Sequence, residues 1–165
     1  MLQIRIAGIV PESFVDGDGI RFAVFFQGCK RNCEGCHNPE THALDGGKLI
    51  DTQEIISALK KNPLLDGITL TGGEPFLQLE AATELARATK NFGLSVWCYT
   101  GFTFEELGDD AKNFLEYVDV LIDGEFIERL RDLELTFRGS SNQRIIDVKK
   151  SREQKKIVPW ASIGG

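Results

Sequence analysis

Three thiols fall within eight residues, at Cys29, Cys33 and Cys36, in the C-x3-C-x2-C run Cys29-Lys30-Arg31-Asn32-Cys33-Glu34-Gly35-Cys36. The fourth cysteine, Cys98, lies far downstream. A four-iron cluster ordinarily takes four thiolates, one per iron. A clasp of three therefore leaves one iron open to another molecule, and an open coordination position is the mark of a catalytic metal site. The competing reading is a structural zinc whose shell is completed by His37 or His42. His37 directly follows Cys36, an awkward spacing for a chelate, and the loop lacks a second C-x2-C knuckle, so iron and sulfur are the stronger expectation. A disulfide among such near neighbours is weaker still, because three packed thiols without an export signal point to a metal in a reducing compartment.

A second group is Thr71-Gly72-Gly73-Glu74-Pro75. Alone it reads as a turn, since glycines permit positive φ and proline suits the first position of a helix. On the same rim as a metal loop, its glycines would also expose backbone polar groups to a ligand, and the Glu74 carboxylate would suit an ammonium group. Asp16-Gly17-Asp18-Gly19 fits neither a calcium loop nor a dinucleotide fingerprint: Ile20 and Arg21 stand where oxygen ligands are needed, and Phe22 takes the place of the third glycine. It is expected to be a turn. Cys98, beside Trp97, reads as a small buried hydrophobe and not a ligand. Arg138-Gly139-Ser140-Ser141-Asn142-Gln143-Arg144 reads as a polar turn rich in donors, with ligand or partner contact an even alternative.

These groups need a scaffold. Leu2, Ile4 and Ile6 alternate with polar residues, and Arg21–Phe26 reads as a strand buried on both faces, ending where the cysteine loop begins. Asp51 with Glu54 resembles a capping pair opening a helix that stops before Pro63. Ile68–Leu70 is a short strand, and a helix from about 78 to 92 ends at Gly93 as a left-handed cap. Leu94–Tyr99 and Val118–Ile122 are further strands, separated by a helix that Thr103 and Glu106 would cap. Repeated strand–loop–helix units imply an α/β fold with a mainly parallel sheet. At 165 residues the chain is well short of the roughly 250 of a closed eight-unit barrel, so the expected fold is a partial, open TIM-like β/α barrel. Ligands gather at the carboxyl ends of the strands in such sheets, and the cysteine loop, Gly72–Glu74, Tyr99-Thr100-Gly101 and Asp123-Gly124 each come directly after a predicted strand. One domain over 1–165 is expected, irregular from about residue 125 apart from a late strand at Ile145–Val148, and frayed at its tail.

Charge and hydropathy exclude other classes. With 19 basic against 25 acidic residues and a net charge of −6, no basic footprint for nucleic acid or anionic lipid is present. No stretch approaches the roughly 20 apolar residues of a membrane span. A cytoplasmic location is expected.

Cys29–Cys36 with His37-Asn38-Pro39 directly after it, together with Gly72-Gly73-Glu74-Pro75, resembles the radical S-adenosylmethionine superfamily, and within it the glycyl-radical-enzyme activases. The short chain, Trp97–Phe102, Asp123–Phe126 and Arg138–Val148 are similar to the subgroup that acts on anaerobic ribonucleoside-triphosphate reductase. The similarity spans about residues 5–148. It implies that Cys29, Cys33 and Cys36 hold three irons of a [4Fe-4S] cluster while the amino and carboxylate groups of S-adenosylmethionine chelate the fourth. It further implies reductive cleavage to methionine and a 5′-deoxyadenosyl radical, which takes a hydrogen atom from a glycine of the reductase large subunit. Gly72, Gly73 and Glu74 would grip the methionine amino group, and the backbone around Gly35, Cys36 and His37 would face the adenine. A low-potential electron donor, flavodoxin-like in kind, and an accessible opening for the partner are implied as well. Gly35 stands where the wider superfamily usually carries an aromatic residue, a feature compatible with the reductase subgroup. Asp18 stands where these activases often have proline. The alternatives are an activase of pyruvate formate-lyase or another glycyl-radical enzyme, and a noncatalytic zinc, iron–sulfur or electron-transfer protein.

Overall fold

The computed structural model describes residues 2–29 and 43–161. Seven strands, β1 (Gln3–Ser13), β2 (Arg21–Phe26), β3 (Lys48–Asp51), β4 (Gly67–Gly72), β5 (Ser95–Tyr99), β6 (Val120–Asp123) and β7 (Arg144–Asp147), form one sheet in the order β3-β1-β2-β4-β5-β6-β7. β2, β4, β5 and β6 are mutually parallel, while β1 and β3 at one end and β7 at the other run antiparallel to their neighbours. The open α/β sheet with a parallel centre is the expected partial barrel, with β3 and β7 left as its two edges.

The centre is parallel because its connections are long enough to cross back over one face. The helices α1 (Thr52–Lys61), α2 (Leu79–Asn91) and α3 (Lys112–Leu115) supply that cover. Ile55 and Leu59 of α1, Ala82 and Leu85 of α2, and Phe114 of α3 join Phe22, Val24, Phe26, Leu70, Val96 and Leu121 of the strands in one buried cluster. β2 alternates between this face and the other, and five of its six residues are buried, which is why it is apolar throughout after Arg21. Helix α1 starts where Asp51 accepts a hydrogen bond from the Gln53 amide at 3.1 Å; Glu54 adds its charge to the first turn. Helix α2 ends at Gly93, whose φ of +77° is the left-handed cap its sequence implied.

The opposite face carries a second cluster built on Trp97, Val120 and Ile122, closed by Tyr99, Phe137, Ile145 and Trp160. Trp97 meets Phe137 and Trp160 edge to face, at 5.2 and 4.9 Å between centroids. Beside it lies Arg21, 1% exposed. Its guanidinium donates to Thr69 Oγ1, Ser95 Oγ and the carbonyls of Asp18, Ile68 and Ser95, and stacks over Trp97 at 5.4 Å. Burial lowers its pKa to about 10, which leaves it charged at neutral pH. Neutral acceptors satisfy every side of the fork, and this allows a cation to stay buried without a carboxylate in contact. Asp16-Gly17-Asp18-Gly19 is the expected turn: Ser13 Oγ donates to Asp16 Oδ2, and the Asp16 carbonyl accepts from Thr69 Oγ1.

Three elements depart from the sequence expectation. The helix expected between Thr103 and Val118 is two short 3-10 turns, Phe104–Glu106 and Asp109–Ala111, before α3. Gly108 interrupts it, and Glu106 Oε1 accepts from both the Thr103 amide and its hydroxyl, closing the first turn locally. β3 is additional. Residues 144–161, expected to hold one late strand, also carry α4 (Val148–Gln154), opened by Asp147 accepting from the Lys150 amide.

Candidate active site

The carboxyl ends of β2, β4, β5 and β6 converge on one open cavity of about 620 Å³, on the face away from the helices. That volume is the size of an ordinary small-molecule site. Cys29, half-buried at the exit of β2, lines it together with Thr71, Gly72, Gly73 and Glu74 at the end of β4 and Tyr99-Thr100-Gly101 at the end of β5. Cys33, Cys36, Gly35 and His37, the remaining candidates, lie outside the described residues, as does His42.

The first cysteine and the Gly-Gly-Glu loop are stitched together. The Gly73 amide donates to the Phe26 carbonyl at 2.8 Å, and the Glu74 amide donates to the Gly28 carbonyl at 2.7 Å. The hydrogen bonding of the β2–β4 pair thus runs past the end of both strands, up to the residue before Cys29. Gly72 makes this possible. Its φ is +88°, and a Cβ there would sit 2.6 Å from the Phe26 amide nitrogen and 2.8 Å from the Phe25 Cα. Only glycine lets the two backbones approach this closely while the chain turns into the left-handed region.

Glu74 is 3% exposed. Its Oε2 accepts from the Thr100 hydroxyl at 2.8 Å and from the Phe76 amide at 3.3 Å, and its Oε1 from the Gly101 amide at 2.8 Å. Charge-assisted bonds of this kind offset the cost of burying a carboxylate. The sequence suggested an ammonium group as the partner of Glu74; in the structure its carboxylate also ties the β4 loop to the β5 loop, fixing the floor of the cavity. Thr100 is the residue that sequence reasoning left without a role. Replacing it by valine removes a donor to a buried carboxylate and the hydroxyl that accepts from the Phe102 amide. Thr100→Val is expected to lower stability by about 1.5–3 kcal/mol in urea titration, and Thr100→Ser to restore most of it.

Cys98 points the other way. It is fully buried within the helix-packed cluster, and burial, with Glu74 nearby, pushes its thiol well up from the ordinary value. A neutral, enclosed thiol is a poor metal ligand. Cys98→Ala protein is expected to bind as much iron and sulfide as the wild type, with stability changed by about 1 kcal/mol; iron content by colorimetric assay and denaturant titration check this.

The wall opposite Cys29 comes from the segment before β7. Phe137 is one of two described non-glycine residues at positive φ, at +63°. For an aromatic side chain that conformation costs about 1–2 kcal/mol. Its ring is held by Trp97, and its carbonyl accepts from the Tyr99 hydroxyl at 2.7 Å. Burial, with Asp16 adding to it, raises the Tyr99 phenol well above its usual pKa, so the hydroxyl remains a donor at any working pH. Gln143 holds the next turn: its Oε1 accepts from the Gly139 and Ser140 amides, and its Nε2 donates to the Gly124 carbonyl. Arg138 then lines the cavity. Its Nη1 donates to the Gln143 carbonyl at 2.9 Å, but its buried Nε has no acceptor, an omission that costs about 1–3 kcal/mol when nothing fills it. At the end of β6, Asp123 is buried and forms a two-point pair with Arg144, which also meets Glu105. Those carboxylates raise the Arg144 pKa above its ordinary value, Asp123 most strongly.

Comparison with known proteins adds the family. Residues 15–146 match the model of the 4Fe-4S single cluster domain. The chain is 36% identical over 143 residues to the anaerobic ribonucleoside-triphosphate reductase-activating protein of Haemophilus influenzae, covering 82% of this chain and 92% of that one. The protein of the same name from Vibrio cholerae is 38% identical over 144 residues, with the same coverage. The chain belongs to this family. The enterobacteria phage T4 protein of that name is also similar, at 36% identity over 83% of the chain and 90% of its own length. Among solved structures, QueE from Escherichia coli aligns over 73% of this chain and 70% of its own, with a TM-score of 0.49 and 15% identity. No helix among the described residues is long and apolar enough to cross a membrane.

Proposed function

We propose that this chain installs a glycyl radical on the large subunit of anaerobic ribonucleoside-triphosphate reductase, using a [4Fe-4S] cluster and S-adenosylmethionine. The observation that carries this is the stitching of the Gly72-Gly73-Glu74 loop to the residues leading into Cys29, beside one open cavity. Such an arrangement suits a ligand that must touch a cysteine-held metal and a backbone cradle at once. Cys29, Cys33 and Cys36 would hold three irons, and the cavity would take the cofactor at the fourth. Held there, the cluster would supply one-electron reduction of the sulfonium, the chemistry needed to take a hydrogen atom from glycine. The chain's own residues supply placement.

Gly72 and Gly73 bring backbone polar groups to the methionyl end, and Glu74 fixes their loop against the β5 loop. Gly35, Cys36 and His37 would border the adenine. Phe25, Phe126 and Phe137 give the cavity part of its apolar lining. The protein would act as one domain over residues 1–165, in the cytoplasm, with electrons from a flavodoxin-like donor and with neither nucleic acid nor membrane as a partner.

The test is anaerobic. Protein reconstituted with iron and sulfide, then reduced, is expected to convert S-adenosylmethionine to 5′-deoxyadenosine, and the reductase large subunit to gain a glycyl radical by electron paramagnetic resonance. No cleavage by an intact reduced cluster would sink the enzyme reading. A radical formed on pyruvate formate-lyase but not on the reductase would move the chain to the other activase subgroup.

A further inference from the structure

We infer that the surface framing the exit of β2, tipped by Leu44 and Leu77, is the docking face for the electron donor, a small acidic protein with a low-potential one-electron carrier at its surface. The inference rests on the function proposed above and gives one of its partners a place on the molecule. Gln27 and Gly28 lead from β2 into Cys29, and two other segments are tied to them. Gln27 Nε2 donates to the Ala43 carbonyl at 2.7 Å, and the Gln27 carbonyl accepts from Gln78 Nε2 at 3.2 Å. Leu44 follows the first partner in the chain and Leu77 precedes the second. The Leu44 Cα lies 3.7 Å from where a Cβ on Gly28 would sit. The two leucines are 57% and 37% exposed, and neither lines the cavity. Isolated surface leucines mean little. These two stand on a frame fixed by side-chain hydrogen bonds, beside the strand that delivers a proposed metal ligand.

Under the proposed function the cavity side of Cys29 is committed to S-adenosylmethionine and to the glycine of the reductase, so a donor entering there would compete with both. Electron transfer falls off steeply with distance. The donor must therefore come close to the metal from outside the cavity, which is where Leu44 and Leu77 stand. The step moves one electron and no proton or group: the donor's carrier is oxidised by one electron and the cluster is reduced by one. The charges beside the leucines suit an acidic donor. Arg5 Nη1 donates to the Asp45 and Gly46 carbonyls, neutral acceptors that leave its charge in place, and Lys48 is exposed on β3. No described ion pair includes either. Asp45 is the one acid in residues 43–48, so two cations face one acid in a chain of net charge −6. An apolar centre with a charged rim suits a brief electron-transfer encounter, small in area and steered by charge.

The test compares two reductants on the reconstituted protein under anaerobic conditions: reduced flavodoxin, which must dock, and photoreduced deazaflavin, which need not. Leu44→Glu and Leu77→Glu are each expected to weaken flavodoxin binding, read by surface plasmon resonance, by roughly 10-fold. Flavodoxin-driven formation of 5′-deoxyadenosine is expected to fall with it, while the deazaflavin-driven rate stays unchanged. Lys48→Glu, at an exposed position, is expected to slow flavodoxin association and flatten its salt dependence, and it carries the test alone if a leucine variant fails to assemble its cluster. Unchanged flavodoxin binding in the variants overturns the assignment. So does equal slowing with both reductants, which would mean a disturbed metal site. Normal cleavage with both reductants but no glycyl radical on the reductase would overturn it in favour of contact with that partner, and so would wild-type protein that deazaflavin drives but flavodoxin neither binds nor drives. Wild-type protein that carries its cluster yet cleaves nothing with deazaflavin fails at the proposed function itself, an outcome distinct from the others.

Discussion

Cys29→Ala protein, reconstituted with iron and sulfide, is expected to lack the stable four-iron cluster and to cleave S-adenosylmethionine more than about 100-fold more slowly than the wild type. Removing an outer partner of a metal ligand already costs about 10–100-fold, and loss of a thiolate from the proposed set of three would exceed that. The fold itself asks little of this thiol. Cys29 is half-buried on the cavity wall, whereas the hydrogen bonds that hold its segment are made by the backbone of Phe26 and Gly28. Metal-free Cys29→Ala and metal-free wild type are therefore expected to unfold within about 0.5 kcal/mol of each other. Visible absorbance, iron content and 5′-deoxyadenosine formation measure the first effect, and urea titration the second. Full cluster content in the variant would remove Cys29 from the ligand set.

The second large effect belongs to Gly72. In Gly72→Ala the new methyl group meets β2 backbone at 2.6–2.8 Å, and the residue must also keep a φ of +88°. The left-handed cost of about 1–2 kcal/mol adds to a packing cost of about 1–3 kcal/mol, for a total of roughly 2–5 kcal/mol. The obstructed atoms belong to the strand that delivers Cys29, so binding of S-adenosylmethionine is expected to be lost together with the stability. Gly93→Ala is the control. Its φ of +77° is comparable, but nothing lies within 4 Å of its Cβ position, so only the left-handed cost applies. Similar destabilisation of the two variants would mean that close approach of β2 and β4 does not matter.

The parallel centre was legible because its strands are buried on both faces and each leads into glycine, cysteine or acid at its carboxyl end. β3 was not, since Lys48-Leu49-Ile50-Asp51 shows no alternation and exists only by pairing with Gln3–Ile6 of β1. α4 was hidden for a related reason: of its seven residues only Val148 and Ser151 are buried, too few to mark a helical face. The cysteine spacing and Gly-Gly-Glu-Pro pointed to the site from type and order alone. What the sequence withheld was how distant groups meet. That Thr100 caps Glu74, or that Trp97 and Tyr99 hold Phe137 at positive φ, depends on β4, β5 and β6 lying side by side, and no local pattern encodes it. Gly72 could be read as a turn residue, but not as the point where two backbones touch.

Among the described residues the strand order runs from β3 to β7 without joining its ends. A closed eight-stranded barrel fills its interior with side chains and keeps its site on the loops above, ringed on every side by βα units. A horseshoe has a gap, and through it can pass a residue still attached to a far larger body. If the cavity at the strand ends holds the reactive centre as proposed, a protein of this modest size could reach one backbone position in a bulky target without engulfing it.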